Sequence, residues 1–438
     1  MTVDQQTHSP WRAVSESEND LSVDGVAPRF VAAPASVEEM GQVVARANEQ
    51  GLGVIPRGSG TRMGLGCPPL AADLVLHTRG LNRVVEYQPA DLTLTIEAGA
   101  TLGEVQDLLR PEGQHLALDP PGGAGSTLGG IIATNASGPL RLAYGSARDL
   151  VIGTRVVNAD GVATKAGGRV VKNVAGYDLN KLYIGSLGTV GVVVELSFKL
   201  WPIPPAEATL LASFDSAALG IALARLMQTP LNPLSLEALD AGAASASGVG
   251  DPGPGRWMLS VRFGGSARAL ARQLGDTERI FTEAGAIDLQ RLEDAPLDLW
   301  RGIADQTRAQ PDQVLVRLAV PFSRTVAALG TLERLAAEAG LSATLQGRAG
   351  SGVIYARLSA AGSWNDDALA AAAKLVQQGR AWALREVGSL VVESAPAALK
   401  SRVDVWGDVG ASLKVMRALK DQLDPRGVLN RGRFVAGI

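Results

Sequence analysis

The alternation of apolar and polar positions sets out the chain in two parts. Ser36-Val-Glu-Glu39 has the form of a capping box, and Met40, Val43, Val44 and Ala47 follow at helical spacing until Gly51, which predicts a helix over 37–50. Gly53–Pro56, Asp73–His77, Asn82–Tyr87 and Leu92–Ala98 read as short strands between turns. A second capping box, Thr101-Leu-Gly-Glu104, opens a helix with Leu102, Val105, Leu108 and Leu109 on one face, and Pro111 stops it. Asp160-Gly161 between the apolar runs 150–158 and 162–165 predicts a hairpin, and a short helix is expected over 178–184. Val190, Val192, Val194, Leu196, Phe198 and Leu200 keep period two, which predicts a long strand with one face in a core.

Pro202-Ile-Pro-Pro205 ends that strand and marks a domain boundary. Beyond it strands are predicted near 208–214, 234–239, 257–263, 287–291, 314–320, 342–347, 352–358 and 389–393. The helices between them fall near 216–228, 265–284, 294–306, 323–339 and 366–386. Two successive rounds of this kind imply one antiparallel sheet with helices on one side. The Ala-, Gly-, Ser- and Pro-rich stretch 243–255 reads as a mobile insertion. The last helix, 410–423, is expected to turn Leu413, Met416, Leu419 and Leu423 inward. The fold class is therefore α+β: a loose arm over 1–26, a first domain over 27–205, a second over 206–400, and a closing segment over 401–438.

Composition narrows the function. At 438 residues the chain has room for two domains. Lys and Arg (41) nearly balance Asp and Glu (44), leaving a net charge of −3 and no basic footprint for nucleic acid. One cysteine, Cys67, and three scattered histidines, His8, His77 and His115, supply neither an intramolecular disulfide nor a metal cluster, so no metal is expected. Residues 1–24 are polar and acidic without an apolar signal core, and no apolar run reaches membrane-spanning length. A cytoplasmic protein is the expectation.

Two glycine-rich stretches carry the candidate chemistry. Leu118–Gly138 holds five glycines, one serine and two threonines between Gly122 and Asn135, so its backbone can turn N–H groups toward an anion. Pro56-Arg-Gly-Ser-Gly-Thr-Arg-Met-Gly64 follows a strand in the same way. The Pro68-Pro69 pair beyond it cannot open a helix, so the dinucleotide fingerprint fails its structural test, and no P-loop motif is present. Glycine content alone leaves an ordinary loop and a ligand loop equally open.

Taken together, Pro56–Thr61, Gly125–Asn135, Gly168–Leu179, Gly185–Gly191 and Asp424–Asn430 resemble, in order and spacing, the FAD-linked oxidases of the vanillyl-alcohol oxidase type. The resemblance covers about residues 27–205 and the last thirty. It implies a PCMH-type FAD-binding domain of two α+β subdomains and a cap domain with an antiparallel sheet. It places Pro56, Arg57, Gly58, Ser59, Gly60 and Thr61 on one side of the FAD, and Pro121, Gly125, Ser126, Thr127, Gly130, Ala133 and Asn135 on the other. Gly188 and Val190 would lie against the adenine half and Asn430 near the flavin ring. Covalent attachment in this family uses a histidine or cysteine in a glycine loop; Pro56–Gly64 has neither, and Cys67 and His115 lie outside the loops, so non-covalent FAD is expected.

Within the family the pattern is most similar to glycolate oxidase subunits and D-lactate dehydrogenases, which oxidise 2-hydroxy acids. Their cap motif H-A-G-D-G-N-x-H is here Arg348-Ala-Gly-Ser-Gly-Val-Ile-Tyr355, with both histidines replaced. Arg348 and Tyr355 are the candidate catalytic residues, the arginine for a carboxylate and the tyrosine for a proton, although a phenol is a weak base near neutrality. An intact flavin site with a lost histidine motif resembles the FAD-binding subunits of glycolate oxidases. The partners so implied are a paralogous catalytic flavin subunit and an iron–sulfur subunit, with association at the inner face of a membrane through that complex. Leu297–Ile303 resembles a tryptophan-containing cap helix of such subunits. A stand-alone 2-hydroxy acid dehydrogenase using Arg348, Tyr355 or Arg317, and a non-catalytic flavin-bearing scaffold, remain as alternatives.

Overall fold

The computed structural model describes residues 9–15, 18–168, 177–293 and 297–438. Most of the Gly168–Leu179 motif and Pro296 thus lie outside the described residues. The first subdomain is a four-stranded sheet in which Phe30–Ala32, Leu74–His77 and Val54–Arg57 run parallel, backed by the helix Val37–Gln50. Ser36 caps that helix by accepting the Glu39 N–H, and Gly51 ends it in the left-handed conformation. The second subdomain is a five-stranded antiparallel sheet with Val192–Lys199 at its centre. The expected hairpin is formed by Val151–Val157 and Ala163–Gly167.

That central strand is buried on both faces, which corrects the expectation of one core face. The register with Val151–Val157 slips between Val193 and Glu195, so a bulge reverses the alternation. Val192 and Val194 enter the first subdomain's core, whereas Val193, Leu196 and Phe198 enter the second's. The strand thereby joins the two subdomains. Close approach completes the join: a Cβ on Gly41, in the helix, would lie 2.5 Å from the Gly161 carbonyl oxygen.

The cap is one eight-stranded antiparallel sheet. Helices Ser216–Met227, Ala267–Ala284, Thr325–Glu338 and Asp366–Arg385 cover one face, where Leu210, Leu236, Val261, Val316, Leu345, Ala356 and Val392 are buried. The opposite face mixes the polar residues described below with Leu211, Leu239 and Met258, which are buried under the helices Ala241–Ser247 and Leu297–Asp305. Residues 243–255 are not a free insertion. Asp240 caps a helix over Ala241–Ser247, and Ala243, Ala244 and Val249 are buried against Trp300 and Ile303 of the helix Leu297–Asp305. Short alanine side chains allow two helices to approach closely, which a composition reading takes for looseness.

Both ends of the chain are also better anchored than their composition suggests. Arg12–Ala13 pairs with Phe30–Val31, Leu21 and Val23 are buried, and Asp24 accepts from Lys400 Nζ at 2.8 and 2.9 Å. The described part of the expected loose arm is therefore packed. In the helix Ser412–Leu423 Leu413, Met416 and Leu423 are half-buried as expected, with Leu423 packed against the second subdomain's core, but Leu419 is exposed and the fully buried residue of that face is Lys420. Lys420 Nζ donates to Asp424 at 2.6 Å and to the carbonyls of Thr189 and Leu429. Asp424 accepts the N–H groups of Val428 and Leu429. The chain then lies along Val54, whose N–H donates to Val428 and whose carbonyl accepts the Asn430 N–H, both at 2.8 Å. Burying Val428 and Leu429 there stabilises the join by roughly 1.5–3 kcal/mol each. Among the described residues no helix is long and apolar enough to cross a membrane.

Lys420→Met leaves the buried Asp424 carboxylate unpaired, a change that costs about 3–5 kcal/mol. Chemical denaturation should show a loss of that size, and an unchanged midpoint would refute the anchoring role.

Candidate functional site

The glycine turn and the second glycine loop meet at one cavity. Its walls are Pro56, Gly58, Ser59, Gly60, Thr61, Arg62, Met63 and Leu65 on one side and Thr127, Gly130, Ala133 and Thr134 on the other, with Leu187, Asn430 and Arg433 closing the end. The strand Val54–Arg57 delivers the first wall and Leu128–Thr134 the second. The two are fitted by the missing Cβ of Gly58: one placed there would come within 2.0 Å of Thr127 Oγ1. Gly60 has φ +74°, a conformation that glycine adopts without strain. From Gly58 to Arg62 no backbone N–H donates to a protein acceptor among the described residues. Such a row of free donors suits an anionic ligand.

The end of the cavity holds unsatisfied side-chain atoms as well. Asn430, buried with φ +47°, donates its Nδ2 to the Leu187 carbonyl while its Oδ1 has no partner. Arg433, 3% exposed, donates through Nη2 to the Met63 carbonyl at 2.6 Å and to that of Leu65, and its Nη1 makes no hydrogen bond but is ion-paired with Asp24 Oδ2 at 3.9 Å. Burial presses the Arg433 guanidinium below its ordinary range. Buried polar atoms left unpaired cost about 1–3 kcal/mol each, so a bound group that satisfies them is stabilised by the same amount.

Of the residues expected at the cofactor, Pro56, Gly58, Ser59, Gly60, Thr61, Thr127, Gly130, Ala133 and Asn430 line this cavity, and the others stand behind or beside it. Arg57 turns away to hold Asp20, donating to its carbonyl at 2.7 Å and its carboxylate at 2.9 Å. Ser126 is buried, with Oγ 3.3 Å from Thr61 Oγ1, and ties the two walls together. Gly188 abuts the Pro56 ring, Val190 is in the second subdomain's core, and Asn135 is an exposed left-handed helix cap. Pro121 and Gly125 belong to the loop before Thr127 and do not reach the cavity wall. Arg62, Met63, Leu65, Thr134, Leu187 and Arg433 were missed. Arg433 gave a signal in the basic, glycine-containing tail, but only the fold brings it 370 residues back to Met63.

The cap sheet face opposite the four helices carries a polar row, one end of which lies under the helix Leu297–Asp305, where Trp300 Nε1 donates to Thr209 Oγ1 at 2.9 Å. Strand register places Thr209, Arg262 and Ser235 in one line, Ser260, Glu237 and Arg348 in the next, and Gln346, Tyr355 and Arg317 in a third. Arg348 is 2% exposed and lies 4.8 Å from the Tyr355 ring centre. It reaches the FAD-binding side by donating to Ser137 Oγ at 2.9 Å, and its Nε is unsatisfied. Glu237 accepts from Gln346 Nε2 at 2.7 Å, and burial, only partly offset by Arg348, pushes its carboxyl up to about 8. Asp119, across the junction, is pushed up to about 7 by burial. Burial alone would raise Glu393 too, but Arg62 and Arg317 hold it below the usual carboxylate range. Arg317 Nε donates to it at 2.6 Å and Arg62 Nη2 from the glycine turn, so this one carboxylate clamps cap to cavity.

Neither Cys67 nor His115 lines the cavity. His115 packs edge-on against Tyr144 at 5.4 Å, and burial, with Arg262 nearby, lowers its imidazole to about 4. A base whose folded pKa is depressed contributes stability above its unfolded value near 6.5, lost as pH falls from there toward 4. Unfolding titrations should show a loss of about 3 kcal/mol over that window, removed in His115→Gln; an identical pH profile in the variant would contradict it. Gly58→Val should leave a folded chain that retains FAD at least tenfold less well, about 1.4 kcal/mol. Full yellow colour after gel filtration would refute the fit of the two walls.

Comparison with known proteins agrees with this geometry. The model of the FAD binding domain family matches residues 28–167, and that of the C-terminal domain of FAD linked oxidases matches residues 203–434. Glycolate oxidase subunit GlcD of Bacillus subtilis is 28% identical over 420 residues, 93% of this chain and 89% of the relative. Glycolate oxidase subunit GlcE of Escherichia coli is 36% identical over 187 residues, 42% of this chain and 52% of the relative. The structure of p-cresol methylhydroxylase with substrate bound superposes with a TM-score of 0.74 at 16% identity, covering 93% of this chain and 88% of that one. The free donors of the glycine turn, the missing Cβ at Gly58 and the unsatisfied Asn430 and Arg433 fit FAD, and the chain belongs to the FAD-linked oxidases, flavoproteins that oxidise CH–OH groups.

Proposed function

We propose that this chain is a flavin subunit of glycolate oxidase type, taking part in the oxidation of a small 2-hydroxy acid, glycolate to glyoxylate in the first instance. Electrons would leave through an iron–sulfur partner subunit. The observation that supports this reading is the contact of the cap sheet with the FAD-binding domain, where Glu393 ties Arg317 to Arg62 of the cavity wall and Arg348, on the Tyr355 ring, donates to Ser137. FAD supplies the two-electron acceptor. Gly58 to Arg62 would hold its pyrophosphate by backbone N–H groups, and Asn430 and Arg433 would meet its polar ring edge. Arg348 would bind the substrate carboxylate, with Ser137 fixing the guanidinium and Tyr355 beneath it. The cap roof excludes water from the reacting carbon.

The subunit role rests on the histidines. The chain has three and none lies beyond residue 115, so the cap offers no imidazole to accept the substrate's hydroxyl proton. Glu237 lies in the cap at a protonation range above neutrality, and Glu393 is committed to two arginines. A paralogous subunit with a complete motif would then carry most of the turnover. A stand-alone dehydrogenase is the second reading, favoured by the match to GlcD along nearly the whole of both chains.

Purified alone, the chain should carry FAD released by acid, yet reduce a dye with glycolate or D-lactate only at background rate. Co-production with a second flavin subunit and an iron–sulfur subunit should bring activity. Dye reduction by the isolated chain at the rate of the assembly would overturn the subunit reading and favour the second.

A further inference from the structure

The free donor row from Gly58 to Arg62 is tied at both ends to one short stretch of the N-terminal arm. At its start, Arg57 gives Nη1 to the Asp20 carbonyl at 2.7 Å and Nη2 to the Asp20 carboxylate at 2.9 Å. The guanidinium so held lies against the turn, since a Cβ on Gly60 would come within 3.0 Å of Arg57 Nε and Nη2. At the far end, Lys400 Nζ donates to the Gly64 carbonyl at 2.6 Å and to the two Asp24 carboxylate oxygens at 2.8 and 2.9 Å. Between these ties, Leu21 and Val23 are buried with Ile55 of the strand that leads into the turn, and Met63, a residue of the cavity wall, packs against them.

Local chemistry gives this stretch its shape. Val23 and Val26 exchange backbone hydrogen bonds at 3.0 and 2.9 Å across Asp24-Gly25, whose φ angles are +49° and +85°. Asp-Gly is a favoured pair for so tight a turn, and here it presents the Asp24 carboxylate to Lys400. Glu18 closes the stretch on its other side by accepting from Arg12 and from the Ser15 N–H and hydroxyl. Lys400, its side chain fully buried, ends the cap helix Ala397–Lys400, whose Leu399 belongs to the cap core. One ammonium group therefore joins arm, glycine turn and cap.

We propose that residues 18–24 are a strap that holds the glycine turn in its FAD-binding shape, with Asp20 and Asp24 as positioning residues and Lys400 as the link to the cap. A turn whose N–H groups have no protein acceptor lacks hydrogen bonds of its own to keep it in shape. The ties on its flanks supply that constraint from outside, and neither aspartate lines the cavity. Because bound FAD and the docked strap favour the same shape of the turn, each strengthens the other by one common factor. FAD therefore tightens the strap, and a strap released from Arg57 or Lys400 weakens FAD.

The test pairs the FAD affinity of the stripped full-length chain, read by quenching of flavin fluorescence, with amide exchange of Leu21, Val23 and Val26, whose N–H groups bond within the arm. Loading FAD should slow exchange at these three amides at least tenfold. Asp24→Asn combined with Lys400→Met removes both charges of the tie and leaves neither buried alone; it should weaken FAD by the same factor that loading protects the arm. Asp20→Ala, at an exposed carboxylate, should weaken FAD roughly threefold without moving the denaturation midpoint of the stripped chain, and Asp20→Asn, which keeps an acceptor, should lose less. A merely structural arm would move that midpoint and leave FAD affinity alone. Equal exchange of the arm amides with and without FAD, or unchanged FAD affinity in Asp20→Ala, would overturn the proposal, and both outcomes can be read even if the double variant does not fold.

Discussion

The constraint on which the rest depends is the row of backbone donors from Gly58 to Arg62 that the protein itself does not satisfy. A turn of this kind is costly in a closed core and stable only where water or an anion meets it. Everything around it serves to keep it open and correctly shaped. The parallel strand Val54–Arg57 aims it, the C-terminal tail braces that strand through Val428 and Asn430, and Arg433 grips the carbonyls of Met63 and Leu65 from beneath. Binding FAD and folding the two ends of the chain together are thus one problem in this protein.

The second consequence is electrostatic. The cap sheet puts one side on four helices and turns Glu237, Arg348, Tyr355 and Arg317 of its other side toward the junction. Screening from water makes the pairing of each charge there count for far more than on a surface. It explains why Glu393 stays ionised while fully buried, since Arg62 and Arg317 flank it, and why Glu237 and Asp119, with weaker partners, are pushed toward their acid forms. With Arg348 and Tyr355 standing where the similar motif has histidines, the cap holds no imidazole.

How much of this could be read from the sequence varied with the range of the interaction. Elements set by local spacing were legible: the capping box at Thr101, the cap at Ser36 (where Glu39 turns to the Ala35 N–H and leaves the box half-formed), the hairpin at Asp160-Gly161, and the strands and helices of the cap. Nine of the expected cofactor residues do line one cavity, because glycine turns announce themselves locally. What failed was set by long-range packing. The bulge that reverses Val190–Leu200, the burial of Ala243 and Ala244 under Trp300, and Lys420 inside while Leu419 faces out all depend on neighbours far along the chain. Arg433 gave only the weak signal of a basic, glycine-containing tail for the same reason: its carbonyl partners at Met63 and Leu65 lie at the other end of the chain.

The most direct measurement is amide hydrogen exchange of the chain stripped of FAD and then reloaded with it. The account predicts that the amides of Gly58 to Arg62 exchange freely in the stripped chain and slow by at least tenfold on reloading, as expected when free donors gain acceptors, while the outer cap helices change little. If that segment exchanges at the same rate with and without FAD, the glycine turn does not hold the cofactor and the account fails at its base.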